Sequence, residues 1–359
     1  MMAGIRSIGW WIPEGRRLAH EVAKDHGLAE KALVALGLVE KPVAGKDDHP
    51  STMGARATRA ALEAAGLGTE ELDLLIYAGV TKDWPAPWVA AFGVLHELGT
   101  RRAAGFDLMG RCAGCIDALW LAKTLVESGT YRTVAVCCAE RYDYLLGPQR
   151  PVEVVSDAAY SAGAATVIVS AEADNDIVAF SHFTNPDLSV HGAGGPRAGG
   201  SRRPVDEPAL REQLHMWQEQ LSIREVNGIA RYSADADRHN YPRILKQAGF
   251  EAVDFVVCSP MNPGPQLEVL KELGVDPKAT LFTIPFLGHI GPADLFLILG
   301  VAIASGRRVG RRIVMSTRTS VYSNALAILG RGDGPGIRVA GEGLDVGLWS
   351  SASGTEVGA

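Results

Sequence analysis

The chain has 359 residues, 47% of them hydrophobic and 21% charged, which excludes the disordered class and allows about two domain-sized units. Its formal charge is 35 minus 41, or −6. Basic residues occur in no run longer than a pair, such as Arg307-Arg308 and Arg311-Arg312, so nucleic-acid binding is not expected. The longest apolar run, Leu295 to Ala304, has ten residues, half of the ~20 that cross a bilayer. No membrane span is expected. Met1 to Arg17 lacks a charged start, a long apolar stretch and a small-residue cleavage site. Five cysteines in no regular array fit a reducing compartment better than a disulfide framework. A cytoplasmic protein is expected.

In chain order, β-branched and apolar runs predict strands at Ile5–Ile12, Leu74–Ala78, Ala103–Leu108, Thr133–Cys138, Ala165–Ser170, Ile177–Ser181, Phe255–Cys258, Thr280–Thr283, Arg312–Ser316 and Asn324–Leu329. Helices are predicted over Met53–Ala65, Ala113–Glu127, Gln266–Leu273 and Ala293–Ala304, each stopped by a glycine at or just past its end. The alternation of the two reads as α/β with buried strands. Asn185 to Val205 is the long loop, with the Gly/Arg-rich stretch Gly192 to Gly200. The glycine-rich segment from about 331 to Ala359 reads as an appended, partly unordered tail.

An internal repeat organises these elements. Leu74 and Phe255 open similar strands 181 residues apart, the helix acids Asp117 and Asp294 and the helix ends Ser128 and Ser305 both lie 177 apart, and Val134 and Ile313 lie 179 apart. Two similar halves related by a pseudo-two-fold are expected, about 1–170 and 171–359.

The same offset of 177 maps Cys112 onto His289. At equivalent helix starts near the pseudo-axis, a thiol and an imidazole would face each other, and both the helix dipole and the imidazole favour a thiolate. Asp294, five residues after His289, is placed to fix its tautomer, although an acid in a first helical turn is also stabilised by the dipole alone. His191 in the glycine-rich loop is a candidate second base or acceptor contact, with His182 behind it. Arg318 is either a pocket residue or a solvated strand-end charge.

Phe106-Asp107-Leu108-Met109-Gly110-Arg111-Cys112-Ala113-Gly114 resembles the nucleophile segment of ketoacyl-ACP synthase III in the thiolase superfamily, and Asp157 to Ala165 resembles that family's segment leading into a core strand. Gly288 to Asp294 falls where the family has Gly-Asn-Thr-Ser, and Val256 to Asn262 where it has His-Gln-Ala-Asn. The likeness covers about residues 3–330. It implies a thiolase-like five-layered αβαβα fold with two pseudo-duplicated halves, the first carrying the cysteine and the second the histidine, and a homodimer. It also implies acyl-CoA or an acyl carrier protein as substrate, with no permanently bound cofactor.

The departures redirect the expected reaction. Ser259 stands at the family's His and His289 at its Asn, so the pair that decarboxylates a malonyl thioester is missing. This resembles the subgroup in antibiotic pathways that selects starter units or moves acyl groups to other acceptors. Acyl transfer through Cys112 to an amine, hydroxyl or thiol acceptor is expected, ahead of a decarboxylative condensing enzyme and of a non-catalytic carrier-binding homologue. Ser316 to Ser320 replaces the family's glycine turn, leaving the backbone N–H groups of Cys112 and Thr319 as expected oxyanion donors. The family's adenine-binding Trp/Arg cluster has no counterpart around Leu36 to Lys41, which brings a carrier thioester level with CoA.

Three rival motifs carry less. Cys112-Ala113-Gly114-Cys115 has redox-dithiol spacing on a chain too large for a thioredoxin-like fold. Cys137, Cys138 and Cys258 lie in apolar strands without paired histidines, so no metal is expected. Ala159 to Gly163 is one residue short of a hydrolase nucleophile elbow.

Overall fold

The computed structural model describes residues 2–85, 87–142, 158–186, 223–259, 267, 270–271, 274–319 and 322–350, with side chains in 223–234 excepted. Two sheets hold these residues together. The larger has the order β12-β1-β7-β6-β4-β5, formed by β1 (Gly4–Trp11), β4 (Leu74–Tyr77), β5 (Ala104–Asp107), β6 (Thr133–Arg141), β7 (Ala162–Ser170) and β12 (Arg338–Glu342). The smaller has the order β8-β11-β10-β9, formed by β8 (Asn175–Thr184), β9 (Phe255–Cys258), β10 (Arg312–Arg318) and β11 (Tyr322–Gly330). A separate hairpin pairs β2 (Gly15–Leu18) with β3 (Glu40–Val43).

The repeat read from the sequence is a repeat of topology. β4 pairs parallel with β6, which pairs antiparallel with β7, which pairs antiparallel with β1; β9, β10, β11 and β8 follow the same sequence of directions. The connecting helices explain why the central strands are apolar on both faces. Between the sheets lie α5 (Gly114–Glu127) and α8 (Asp294–Ala304), whose side chains share one core with Ile8, Val136 and Val167 of the larger sheet and Val257, Met315 and Leu326 of the smaller. α8 is apolar around its circumference and buried from Asp294 to Ala302, as a helix enclosed on every side must be. The outer face of the larger sheet is covered by α3 (Pro50–Ala65) and α4 (Ala90–Leu98), and that of the smaller by α6 (Ile223–Ala248). Two outer helical layers, two sheets and one inner helical layer make the αβαβα stack.

Helices α1 (Ala19–His26) and α2 (Glu30–Leu36) follow the hairpin and pack on Ala158, Ala159 and Ile284. The short α7 (Ile284–Leu287) precedes the histidine.

Two expectations change. Thr280–Thr283 makes no ladder: Val256 N–H donates to Ala279 O at 2.8 Å and Thr280 Oγ1 to Val256 O at 2.8 Å, after which the chain enters α7, with Pro285 in its first turn. The glycine-rich segment after 331 is no appendage up to residue 350. β12 pairs parallel with β1 from Ser7↔Arg338 to Trp11↔Glu342, and Trp349 is buried with its Nε1 donating to Phe282 O at 3.1 Å. Gly341 is needed there, because a Cβ at that position would stand 2.2 Å from the Trp10 ring. The expected helix 266–273 and the loop through Val205 lie largely outside the described residues. No helix among the described residues is long and apolar enough to cross a membrane.

Candidate active site

Cys112 stands in a short helical turn, Arg111–Ala113, that leads directly into α5. Arg111, immediately before it, has φ of 54° and is the non-glycine residue with positive φ among the described residues. Such a backbone costs energy, and here it turns the chain sharply out of Met109-Gly110 into the helix that carries the thiol. Cys112 is half-buried, whereas Cys115, Cys137 and Cys138 are buried and Cys258 half-buried. Burial pushes the thiol of Cys115 up well above its ordinary value and that of Cys137 up to about 11, so these are packing residues. Cys115 Sγ lies 3.6 Å from the carbonyl oxygen of Cys112; the Cys112–Cys115 spacing is that of one helical turn.

The second half supplies the imidazole that faces the thiol. Gly288 has φ of 60°, and a Cβ there would meet Ala159 O at 2.3 Å, so the chain can pass the 158–161 segment only with glycine. His289 then pairs as a strand residue with Tyr160: its N–H donates to Ala159 O at 2.8 Å, and Ser161 N–H donates to its carbonyl at 3.0 Å. The Tyr160 ring packs 4.7 Å from the imidazole. His289 Nε2 lies 3.8 Å from Cys112 Sγ, and Nδ1 is hydrogen-bonded to Asp294 Oδ2. Asp294 Oδ1 accepts the Ile290 N–H at 2.8 Å, which aims the carboxylate. The structure thus brings Cys112, His289 and Asp294 into one line, thiol to imidazole to carboxylate.

Electrostatics set the resting proton position. Burial disfavours a charged imidazole, but the Asp294 charge and hydrogen bond outweigh it, helped by the contact with Cys112, and the His289 pKa is raised to about 10. At neutral pH the imidazole holds a proton.

Lys41 is a residue that sequence reasoning passed over. It is buried, and its Nζ donates to Ala158 O at 2.7 Å and Tyr160 O at 2.8 Å. Those carbonyls flank Ala159, whose own oxygen receives the His289 N–H. Lys41 therefore positions the segment on which the imidazole hangs. In the sequence Lys41 carried no signal, since a lysine beside Glu40 reads as solvent-facing. We expect Lys41→Met to lower acyl transfer about tenfold and to move the alkaline limb of its pH profile downward, with Lys41→Arg partly restoring both; a profile identical to wild type in Lys41→Met would reduce Lys41 to a packing role.

The other expected site residues separate. Ser259, just past β9, is half-buried and lines a cleft with Ser316, Thr317 and Arg318. Thr319 does not offer its amide as an oxyanion donor: the N–H donates to Tyr322 O at 2.7 Å, closing the turn after β10. Thr317 is the β10 residue that reaches the nucleophile segment, its Oγ1 donating to Cys112 O at 3.4 Å. His182 is exposed on the edge strand β8, its ring 5.8 Å from that of Phe180. His191 lies outside the described residues. Among the described residues no group of three or more His, Cys, Asp or Glu side chains is placed to hold a metal ion.

Known proteins resemble this chain in sequence and in fold. Residues 106–186 match the family model of 3-oxoacyl-(acyl-carrier-protein) synthase III. The chain is 26% identical over 315 residues to β-ketoacyl-(acyl-carrier-protein) synthase III of Symbiobacterium thermophilum, covering 85% of this chain and 90% of the relative. It is 29% identical over 326 residues to acetoacetyl CoA synthase NphT7 of Streptomyces sp. strain CL190, covering 86% and 92%. Among solved structures, 3-oxoacyl-(acyl carrier protein) synthase III from Pseudomonas aeruginosa PAO1 superposes with a TM-score of 0.72 at 19% identity, over 93% of this chain and 100% of that one. OleA of Xanthomonas campestris, in a structure with lauric acid and lauroyl-CoA, gives 0.73 at 17%, over 92% and 99%. Matched over most of its length in sequence and in fold, with its cysteine segment inside the region that fits the family model, the chain is similar to 3-oxoacyl-(acyl-carrier-protein) synthase III and shares the fold of that enzyme and of OleA.

Proposed function

We propose that the protein is an acyltransferase working through an acyl-cysteine, and the observation that carries this is the line from Cys112 through His289 to Asp294. Cys112 thiolate attacks the carbonyl carbon of an acyl-CoA or acyl-carrier thioester. As the tetrahedral intermediate collapses, the carbon–sulfur bond to the donor breaks and His289 gives its proton to the departing thiolate. The imidazole is now neutral, stabilised in one tautomer by Asp294, and takes the proton of an amine, hydroxyl or thiol that attacks the acyl-cysteine. Cys112 leaves as thiolate beside a regenerated imidazolium. The Cys112 N–H, at the positive end of the helical segment, is the oxyanion donor in this scheme.

A condensing reaction is the second reading, favoured by the names of the relatives, which are ketoacyl and acetoacetyl CoA synthases. Against it stands Ser259. Decarboxylation needs two convergent donors for the enolate oxygen, and an imidazole engaged as base cannot also serve as both. The reading includes donors taken from the CoA or carrier pool with no resident cofactor, a place in secondary metabolism, and a cytoplasmic setting in which the five free cysteines stay reduced. It also includes a homodimer. Among the described residues β5 is an edge strand of its sheet, with Phe106 in it and Phe92 and Met109 exposed as well, and such an edge invites pairing with a second copy.

Mass spectrometry after incubation with acyl donors tests the reading. One acyl mass is expected on Cys112, none on Cys112→Ala, with acetyl or propionyl passing on to acceptors and little carbon dioxide released from a malonyl donor. Rapid carbon dioxide release would promote the condensing reading. No labelling by any thioester, alongside tight carrier binding, would leave only a binding role.

A further inference from the structure

Two strands of the second half hold the backbone of the nucleophile turn. Thr317 of β10 and Asn324 of β11 stand opposite each other in the antiparallel ladder, so their side chains leave the same face of the sheet. They take successive carbonyls. Thr317 Oγ1 donates to Cys112 O at 3.4 Å, and Asn324 Nδ2 donates to Ala113 O at 2.9 Å. Two residues before Asn324, on the same face, Tyr322 donates its hydroxyl to Asp117 Oδ1 at 2.6 Å, and that oxygen also accepts Asn324 Nδ2 at 2.9 Å. Both N–H groups of the amide are thereby engaged.

The duplication sets an acid five residues after each side chain of the thiol–imidazole pair. Asp294 follows His289 and touches it directly, whereas Asp117 follows Cys112 and reaches its turn through Asn324. Burial raises the Asp117 pKa, and the hydrogen bonds from Tyr322 and Asn324 work against that rise. Asn324 is fully buried, and its Oδ1 has no partner among the described residues. A bare buried acceptor costs stability. An apolar residue there would avoid that cost, so packing does not account for the amide and its donor end does. The turn requires such a hold. Arg111 has positive φ, a backbone that persists only where its surroundings over-determine it, and Cys112 Sγ stands 3.8 Å from His289 Nε2, with little distance to spare.

We infer that Asn324, backed by Asp117 and Tyr322, is a positioning residue for the nucleophile, a role that rests on the acyl-cysteine reading and sets the rate of its first half-reaction. By holding the Ala113 carbonyl it keeps the Cys112 thiol against the imidazole and fixes the direction of the Cys112 N–H. It acts through the backbone.

Acylation of the full chain by propionyl-CoA, followed by rapid quench and mass spectrometry, tests this. In Asn324→Ala the maximal rate of acylation is expected to fall about tenfold, with the donor concentration at half-saturation within about twofold of wild type, because a displaced turn impairs reaction more than donor binding. Asp117→Ala should follow it. Asp117→Asn, whose amide oxygen can still accept both hydrogen bonds, should stay within about threefold of wild type. Alkylation of Cys112 by iodoacetamide, read by peptide mapping, needs no acyl donor and is expected to slow about fivefold at neutral pH in both alanine variants. Wild-type rates of acylation and alkylation in folded Asn324→Ala and Asp117→Ala would overturn the inference and leave transfer through Cys112 intact. Should neither variant fold, Tyr322→Phe decides at a partly exposed position: a fall of about threefold in acylation is expected, and wild-type rates would overturn the inference. Slower alkylation in the variants, beside a wild-type Cys112 that accepts no acyl group from any thioester, would uphold the positioning and count against the acyl-cysteine reading alone.

Discussion

Replacing His289 by alanine should lower acyl transfer about 10⁴–10⁶-fold, the scale of loss seen when a member of a nucleophile–base–acid line is removed. The imidazole acts twice: its proton goes to the departing donor thiolate, and its neutral form takes the acceptor's proton. Both steps fail together in His289→Ala. Asp294→Asn should separate them. An amide at that place can still contact Nδ1 and accept the Ile290 N–H, but it no longer holds the imidazolium by charge, so the raised pKa of about 10 falls. Acceptor attack, which needs the correct neutral tautomer, is expected to fall by two to three orders of magnitude, about tenfold more than formation of the acyl-enzyme. Alkylation of Cys112 by iodoacetamide at neutral pH reports the thiol–imidazole contact directly and should slow at least tenfold in His289→Ala. Rapid quench of each half-reaction checks the split; equal losses in both halves for Asp294→Asn would mean the carboxylate serves only packing.

Glu140→Gln should change how stability depends on pH. Glu140 closes β6, fully buried, and its two oxygens accept the N–H groups of Val80 at 2.6 Å and Thr81 at 2.9 Å. Burial raises its pKa from 4.5 to about 8, against the pull of those hydrogen bonds. The folded state then binds a proton that the unfolded state has lost, so stability falls as pH rises from about 4.5 and levels off above about 8. At about 1.4 kcal/mol per unit, the shift corresponds to on the order of 5 kcal/mol. Glutamine removes that slope and sets an NH2 against one of the two amides, a cost of roughly 1–3 kcal/mol. Denaturant unfolding should therefore find Glu140→Gln less stable than wild type at pH 5 and equal or more stable at pH 9. Parallel profiles would show that Glu140 is ionised in the fold.

Much of this arrangement was legible in the sequence, for physical reasons that differ by element. The central strands announced themselves because both their faces are buried, giving runs such as Val134 to Cys138. α5 and α8 were marked by similar ends, Ser128-Gly129 and Ser305-Gly306, the glycines taking φ of 74° and 75°. Because the two helices occupy equivalent places, one offset was enough to bring Cys112 and His289 into view together. The hairpin strands Gly15–Leu18 and Glu40–Val43 were not visible, since four residues rich in charge carry no periodicity. Lys41 escaped for the same reason: it lies in that hairpin, and a lysine becomes a buried donor only when a distant segment brings it bare carbonyls. Thr319 misled through a local event, its amide satisfied by a carbonyl three residues on.

β12 has a consequence for how the molecule is made. β1 is flanked on one side by β7 and on the other by residues 338–342, so its outer hydrogen bonds wait until a stretch more than 320 residues downstream has left the ribosome. Until then Trp10, over which Gly341 will lie, has an uncovered ring face. Contacts between the two ends of a long chain are slow to form, and exposed strand edges meanwhile attract other chains. A nascent chain stalled before residue 338 should be a good client for chaperones that hold apolar edges, and emergence of residues 338–342 should be what frees it.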